Sequence, residues 1–190
     1  MNDGRSCTYL GSIFENGDEK GSDNIKQAIT YYEKACHLNE GGACSTLGSL
    51  YYDGKGVKQD YAQANTYYEK ACSLDDGSGC FNLGNSYYDG KGVNQDYSQA
   101  NTYFEKACSL DVGSGCFNLG NSYYDGKGVK QDYTQAKIYF EKACSLDNGS
   151  GCFNLGNSYY DGKGVNQDYS QANTYFEKAC SLDVGSGCFN

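Results

Sequence analysis

Apolar residues recur along the chain at the spacing of short amphipathic helices. Cys80, Leu83, Gly84 and Tyr87 stand at i, i+3, i+4 and i+7, which predicts a helix with one buried face. We name this element helix A. Because Gly84 has no side chain, we expect a second helix to approach helix A closely at this position.

A second amphipathic helix, helix B, is predicted a few residues further along. Its apolar stripe is formed by Ala100, Tyr103, Phe104 and Ala107. Asp96 stands directly before this stripe, where its carboxylate can accept hydrogen bonds from the first unpaired amides of a helix. We therefore expect helix B to begin just after Asp96.

The segment between the two helices has the composition of a tight turn. Gly90 and Gly92 belong to the sequence Asp89-Gly90-Lys91-Gly92 and suit the left-handed backbone conformation that ends a helix. The sequence therefore predicts a helix–turn–helix unit.

This unit repeats every 36 residues. Residues 77–112 and 149–184 are identical, and residues 113–148 differ from them at five positions. Self-similarity at such a period is typical of a quasi-one-dimensional stack of repeats. We predict a single domain, 1–190, with repeats at about 1–40, 41–76, 77–112, 113–148 and 149–184, followed by the start of a further repeat at 185–190.

The differences between the copies suggest which side of helix B faces water. Positions 98, 101 and 102 vary, and they lie on one stripe away from the apolar residues. Lys137 stands where the neighbouring copies have Asn101 and Asn173. Because a lysine is tolerated there, we expect the stripe to be exposed to solvent.

The composition excludes several classes of function. The net charge of −9 argues against a nucleic-acid-binding protein and against a polybasic membrane contact. No apolar run is long enough to span a bilayer. With a single histidine, an all-His or Cys₂His₂ metal site is excluded, and we expect neither a metal nor a cofactor.

The cysteines recur in pairs, eight residues apart, at each junction between helix B and the next helix A. A bridge there would close a loop of about nine residues and stabilise the fold by roughly 2.5 kcal/mol in the chain-entropy model. Reduced cysteines that act as small core residues are the alternative, while a thiolate metal site fits this spacing poorly. The pairs are Cys36 and Cys44, Cys72 and Cys80, Cys108 and Cys116, Cys144 and Cys152, and Cys180 and Cys188.

The eleventh cysteine, Cys7, aligns with Cys44, and the position of its partner would precede Met1. We expect Cys7 to be unpaired within the chain. The first residues lack the apolar segment of a signal peptide, although paired cysteines favour an oxidising compartment. We therefore expect the chain to be an internal fragment of a longer exported protein.

The repeat unit resembles the Sel-one-like repeat, a variant of the tetratricopeptide helix pair. Because it also has the Cys-x7-Cys spacing, the chain resembles the Helicobacter cysteine-rich protein family. The resemblance implies an all-α, right-handed α-solenoid with a disulfide at each junction, exported to the periplasm or outside the cell. The residues that carry it are Leu83-Gly84, Tyr87, Gly90-x-Gly92-Val93, Asp96, Ala100, Tyr103-Phe104 and Lys106-Ala107-Cys108.

Members of that family are often labelled β-lactamases, so the resemblance also implies a weak β-lactam-binding hydrolase. The sequence has no Ser-x-x-Lys motif of the serine enzymes and only His37 as an imidazole ligand for zinc. His37 is better interpreted as a cation near a helix C-terminus. Asp89, Asp96 and Glu105 are interpreted as turn, cap and solvated-face residues, so no catalytic residue is predicted.

Asparagines on helix A favour a binding function instead. Asn82, Asn85 and Asp89 share a face opposite Leu83 and Tyr87, and helix A lines the concave groove of tetratricopeptide-like solenoids. An amide offers a donor and an acceptor, so it can pair with a peptide main chain. The alternative is a polar surface copied by duplication. The predicted ladder comprises Asn82, Asn85, Asn118, Asn121, Asn154 and Asn157.

Tyr88, Tyr124 and Tyr160 flank this face and either stack on a ligand or pack in the core. The sequence thus predicts a secreted or periplasmic repeat scaffold that binds a peptide or protein in its concave groove. The alternative is the weak hydrolase, with β-lactams or cell-wall fragments as ligands. No nucleic acid and no membrane insertion are expected.

Overall fold

The computed structural model describes residues 3–16 and 22–182. Within these ranges the chain forms ten α-helices and no strand, which confirms the predicted all-α solenoid class of helix pairs. The superhelical hand stays a prediction. The helices are α1 Gly4–Asn16, α2 Ser22–His37, α3 Gly41–Asp53, α4 Tyr61–Ser73, α5 Gly77–Asp89, α6 Tyr97–Ser109, α7 Gly113–Asp125, α8 Tyr133–Ser145, α9 Gly149–Asp161 and α10 Tyr169–Leu182.

The chain divides into two compact units, residues 1–95 and 96–190. In the first unit, α1 pairs with α2 and α3 with α4, and α3 also contacts α5. In the second, α7 pairs with α8 and α9 with α10, and α7 also contacts α9. Odd-numbered helices are thus the predicted A helices, and A helices of successive repeats touch inside each unit.

Helix B begins where the sequence predicted, because an aspartate caps it. Asp96 accepts hydrogen bonds from the backbone amides of Ser98 and Gln99, at 2.9 and 3.0 Å. Asp132 accepts the corresponding bonds at the start of α8. Such a cap typically contributes about 1 kcal/mol.

Two glycines shape each turn, and they do so for different reasons. Gly90 and Gly92 have φ values of 71° and 73°, as the turn prediction requires. A Cβ at Gly92 would in addition lie 2.5 Å from the carbonyl carbon of Tyr61. The turn of one repeat therefore packs directly on the first turn of helix B in the preceding repeat.

The helix interface of the repeat at 113–148 is built around Gly120, which stands at the position of Gly84 in its own copy, while the close approach at Gly84 itself stays a prediction. A Cβ at the equivalent Gly120 would lie 2.6 Å from the ring of Phe140, which is buried. Leu119 and Ala136 are buried beside them. The helices α7 and α8 therefore pack at a distance that only glycine permits.

Four of the five predicted disulfides are formed, at junctions between repeats. Their Cα–Cα distances lie between 4.4 and 4.8 Å. Cys188, half of the fifth predicted pair, lies outside the described residues, as do residues 185–190. Cys7 is buried and has no disulfide partner. The four bridges join Cys36 to Cys44, Cys72 to Cys80, Cys108 to Cys116, and Cys144 to Cys152.

The expectation that the variable stripe of helix B faces water is wrong at position 101. Asn101 is only 5% exposed, and its Nδ2 donates a hydrogen bond to the backbone oxygen of Lys127 at 2.8 Å. Asn65 donates the same bond to Lys91. The stripe is covered there because the turn of the next repeat lies over it and needs a donor for its carbonyl.

Candidate functional site

The predicted asparagines lie half-buried on helices α5, α7 and α9. In the second unit, two of them meet between successive A helices: Nδ2 of Asn154 donates to Oδ1 of Asn121 at 3.0 Å. We name the surface formed by Asn118, Asn121, Asn154 and Asn157 the asparagine face. Asn82 and Asn85 occupy the equivalent positions on α5, in the first unit.

The contact between Asn121 and Asn154 fixes the direction of both amides. Oδ1 of Asn121 and one hydrogen on Nδ2 of Asn154 are used in the bond, which leaves donors on Asn121 and an acceptor on Asn154. In an extended chain, the backbone N–H and C=O of one residue point to the same side and present the complementary donor and acceptor. The arrangement can therefore bind main chain without reading side chains.

Of the tyrosines that flank this face, Tyr124 contacts the next repeat. Tyr124 packs edge-on against Tyr133, with ring centroids 5.1 Å apart, and its hydroxyl accepts a 2.6 Å hydrogen bond from Nζ of Lys163. Nζ of Lys163 also lies 5.0 Å from the ring centroid of Tyr124. Tyr160 makes the same edge contact with Tyr169, but its side chain is exposed.

This contact between a turn lysine and the preceding repeat was missed by the sequence reasoning. In the first unit, Nζ of Lys91 donates to the hydroxyl of Tyr52 at 2.6 Å. One repeat earlier, Lys55 instead pairs with Glu15 at 2.9 Å. The sequence did contain a signal for this contact: a turn lysine follows an aromatic or acidic residue by about one repeat. The acidic residue is Glu15, which stands where later copies have tyrosine.

The contacts of Glu15 with Tyr32 and Lys55 shift the pKa values of both Glu15 and Tyr32. Burial raises the pKa of the Tyr32 phenol, and its 2.8 Å hydrogen bond to Glu15 raises the pKa further. Burial also tends to raise the pKa of Glu15. The hydrogen bonds from Lys55 and Tyr32 outweigh that effect, so the pKa of Glu15 lies below its ordinary value.

The acidic residues considered for catalysis have separate structural environments. Asp96 caps α6, Asp89 lies 3.7 Å from Nζ of Lys91, and Glu105 is exposed on α6. His37 ends α2 and is exposed. Among residues 3–16 and 22–182, no group of three His, Cys, Asp or Glu side chains is placed to hold a metal.

Two buried serines were also missed. Ser86 and Ser122 are each 1% exposed, and their hydroxyls have no hydrogen-bond partner among the residues that the structure describes. The equivalent Ser158 donates to the backbone oxygen of Asn154 at 3.0 Å.

No described helix is both long and apolar enough to cross a membrane.

Comparison with known proteins identifies the repeat. The profile of the Sel1 repeat family matches residues 4–40, 42–76, 77–112, 113–148 and 149–184. Among curated proteins, putative beta-lactamase HcpC of Helicobacter pylori is 42% identical over 60 residues, which is 26% of this chain and 21% of HcpC. The matched segment thus spans about a fifth of that relative's length.

Solved structures agree on the fold. Helicobacter pylori cysteine rich protein B is 39% identical, and the match covers 72% of this chain and 98% of that protein with a TM-score of 0.58. A protective antigen of uropathogenic Escherichia coli with an SLR fold is 28% identical. That match covers 94% of this chain and 38% of the antigen, with a TM-score of 0.86.

Proposed function

Because the chain belongs to the Sel1 repeat family and is a relative of the Helicobacter cysteine-rich proteins, we propose that this disulfide-stapled scaffold binds an extended peptide or protein segment on its asparagine face. The observation that supports this function is the hydrogen bond between Asn121 and Asn154. It lines up two amides from successive repeats, which a polar surface without function does not require.

Main-chain recognition follows from the chemistry of that pair. The amide hydrogens of Asn121 and the Oδ1 of Asn154 complement the backbone C=O and N–H of one residue in an extended chain, and the same residues recur in the neighbouring copies. Each such hydrogen bond contributes about 0.5–1.5 kcal/mol, so several repeats together give useful affinity. The ligand is then selected by its extended conformation more than by its side chains.

The disulfides support an exported location. Structural disulfides persist in the periplasm and outside the cell, where thiols are not kept reduced. Four of them occur at repeat junctions in this chain. We place the protein in the periplasm or outside the cell, where its partner is an exported peptide or protein.

Binding is tested with peptides selected on the purified protein from a display library. Asn154→Asp should weaken the selected peptides about tenfold, because it removes the donor to Asn121 and adds a charge. Asn166→Asp is the matched control, since it adds the same charge to an exposed turn asparagine. N-methylation of the peptide should weaken binding more than alanine replacement of its side chains; equal effects of the two Asp variants would contradict the proposal.

The hydrolase alternative is supported by the names of relatives, among them beta-lactamase HcpA of Helicobacter pylori, which is 49% identical over 37 residues. That match covers 20% of this chain and 15% of HcpA. Turnover of a chromogenic cephalosporin by the pure protein, at a rate lost on unfolding, would establish it. If the protein shows no turnover and its peptide binding depends on Asn118 and Asn154, the hydrolase function is rejected and the binding function is retained.

A further inference from the structure

A pair of tyrosines, one near the end of helix A and one at the start of helix B, receives a lysine from the following repeat. In the first unit, the rings of Tyr52 and Tyr61 meet edge to face, with centroids 5.0 Å apart and planes 66° apart. Nζ of Lys91 lies 5.0 Å from the ring centroid of Tyr52 and 6.0 Å from that of Tyr61. It also donates to the Tyr52 hydroxyl at 2.6 Å, so two rings and one hydroxyl together hold an ammonium group.

The second unit contains the same arrangement. The rings of Tyr124 and Tyr133 have centroids 5.1 Å apart and planes 65° apart. Nζ of Lys163 lies 5.0 and 5.7 Å from these two centroids and donates to the Tyr124 hydroxyl at 2.6 Å. The same ring geometry thus accompanies the same lysine position in both units.

Tyr160 and Tyr169 form a further pair with this geometry, which we name the open tyrosine pair. Their centroids are 5.3 Å apart and their planes 66° apart. Among the residues that the structure describes, no lysine or arginine lies over either ring. The two side chains are 53% and 56% exposed, so the place that a lysine occupies in the other pairs is accessible to solvent here.

Neither lysine of the repeat at 149–184 fills this pair. Lys163 is bound to Tyr124. Nζ of Lys178 donates to the backbone oxygen of Cys144 at 2.9 Å and lies 3.3 Å from the carboxylate of Asp147. Residues 183–190 contain no lysine or arginine.

The first repeat supports the same assignment with different chemistry. Glu15 stands at the position of Tyr160, and Nζ of Lys55 lies 2.9 Å from its carboxylate. At three junctions of the described chain, this position of helix A therefore contacts a lysine, whether the position carries tyrosine or glutamate.

We propose that the open tyrosine pair, Tyr160 with Tyr169, binds the ammonium group of a lysine side chain on a partner protein. The Tyr160 hydroxyl accepts a hydrogen bond from this ammonium group, as the equivalent hydroxyls do at 2.6 Å in the filled pairs. The net charge of −9 favours the approach of a basic partner. The proposal concerns two aromatic side chains, so it does not depend on main-chain binding by the asparagine face.

The hydrogen bond distinguishes a lysine from other cations. A trimethylated lysine keeps its charge and its attraction to ring faces but has no N–H to donate. The probes are fluorescein-labelled tetralysine and its fully trimethylated form, followed by fluorescence anisotropy with the purified protein at low salt. We expect the protein to bind tetralysine about threefold more tightly than the trimethylated probe.

Tyr160→Phe removes the hydroxyl and keeps the ring and the net charge. It should weaken tetralysine binding about threefold and abolish the difference between the two probes. Tyr9→Phe is the matched control, because Tyr9 is an exposed tyrosine of α1 and its hydroxyl should not affect either probe. Circular dichroism verifies that both variants are folded.

Tyr160→Glu copies the residue of the first repeat and gives a second test in the opposite direction. It should tighten tetralysine binding about threefold more than Tyr9→Glu, because only the glutamate at position 160 can form the ion pair that Glu15 forms with Lys55. Both variants add the same charge, so the comparison excludes a general effect of net charge.

Equal effects of the changes at Tyr160 and Tyr9 would overturn the proposal, because tetralysine would then bind elsewhere on the acidic surface. Binding of the trimethylated probe as tight as that of tetralysine would overturn it as well, and so would absence of tetralysine binding at low salt. None of these results bears on the display-selected peptides, whose binding is tested with Asn154→Asp.

Discussion

At the scale of single residues, the turn glycines differ in what surrounds them. Gly90 and Gly92 share nearly the same positive φ, but a Cβ at Gly90 would lie 3.2 Å from the Cβ and 3.3 Å from the backbone nitrogen of Gln95, which a small shift can relieve. A Cβ at Gly92 would lie 2.5 Å from the backbone carbonyl carbon of Tyr61, so the two backbone segments would have to move apart. An alanine at Gly90 thus tests mainly conformational strain, whereas an alanine at Gly92 tests the same strain together with a steric clash.

We predict that Gly90→Ala lowers the free energy of unfolding by about 1–2 kcal/mol, the cost of a left-handed alanine. Gly92→Ala should cost about 1–3 kcal/mol more, because the repeat must also move away from its neighbour. Urea unfolding followed by circular dichroism measures both variants. Equal losses would mean that the contact with Tyr61 relaxes freely.

Glu15 gives a second residue-scale prediction, on pH. Its pKa in the folded protein lies below the ordinary 4.5, so its contribution is present above that pH and is lost as the pH falls through the folded value. Glu15→Gln should therefore be less stable than wild type near neutral pH. The difference in unfolding free energy should shrink in acid, and a difference that is constant with pH would contradict the assignment.

At the scale of elements, the sequence predicts the helices and their caps because those signals are local. Asp96 and the turn glycines act within a few residues, and the apolar stripes have the period of a helix. The bond from Asn101 to Lys127 spans 26 residues and depends on how one repeat lies on the next. Comparing copies therefore misassigned Asn101 as solvent-facing, although the same comparison identified the position as variable.

The junction disulfides also belong to this scale. Replacing Cys108 and Cys116 together by alanine should lower the free energy of unfolding by roughly 2.5 kcal/mol, since a loop of about nine residues is no longer closed. Hydrogen exchange should speed up first in α6 and α7, which the bridge joins. Uniform acceleration along the chain would show that the bridge acts on the whole fold instead.

At the scale of the whole molecule, the disulfides at successive repeat junctions add their contributions to the free energy of unfolding. Four described bridges at roughly 2.5 kcal/mol each amount to about 10 kcal/mol, comparable with the whole stability of an ordinary domain. We expect full reduction to remove most helical circular dichroism at moderate temperature. Retention of the helical signal after reduction, verified by intact mass, would show that packing alone suffices.

The proposed binding surface was only partly predictable from the sequence. The asparagines of helix A were identified because they recur on one helical face, and their positions on that face follow from helical period alone. That Asn121 and Asn154 bond to each other depends on contact between α7 and α9.

Each Lys-Gly turn packs on the repeat before it. This contact has a consequence for chains with fewer or more repeats. Residues 77–112 and 149–184 are identical, so recombination between their coding segments would delete 72 residues, from 77 to 148, in frame. Cys72 would then meet Cys152, and Lys163 would meet Tyr52, in the roles of Cys80 and Lys91. A chain shortened by these two repeats would therefore require no new type of contact between its repeats.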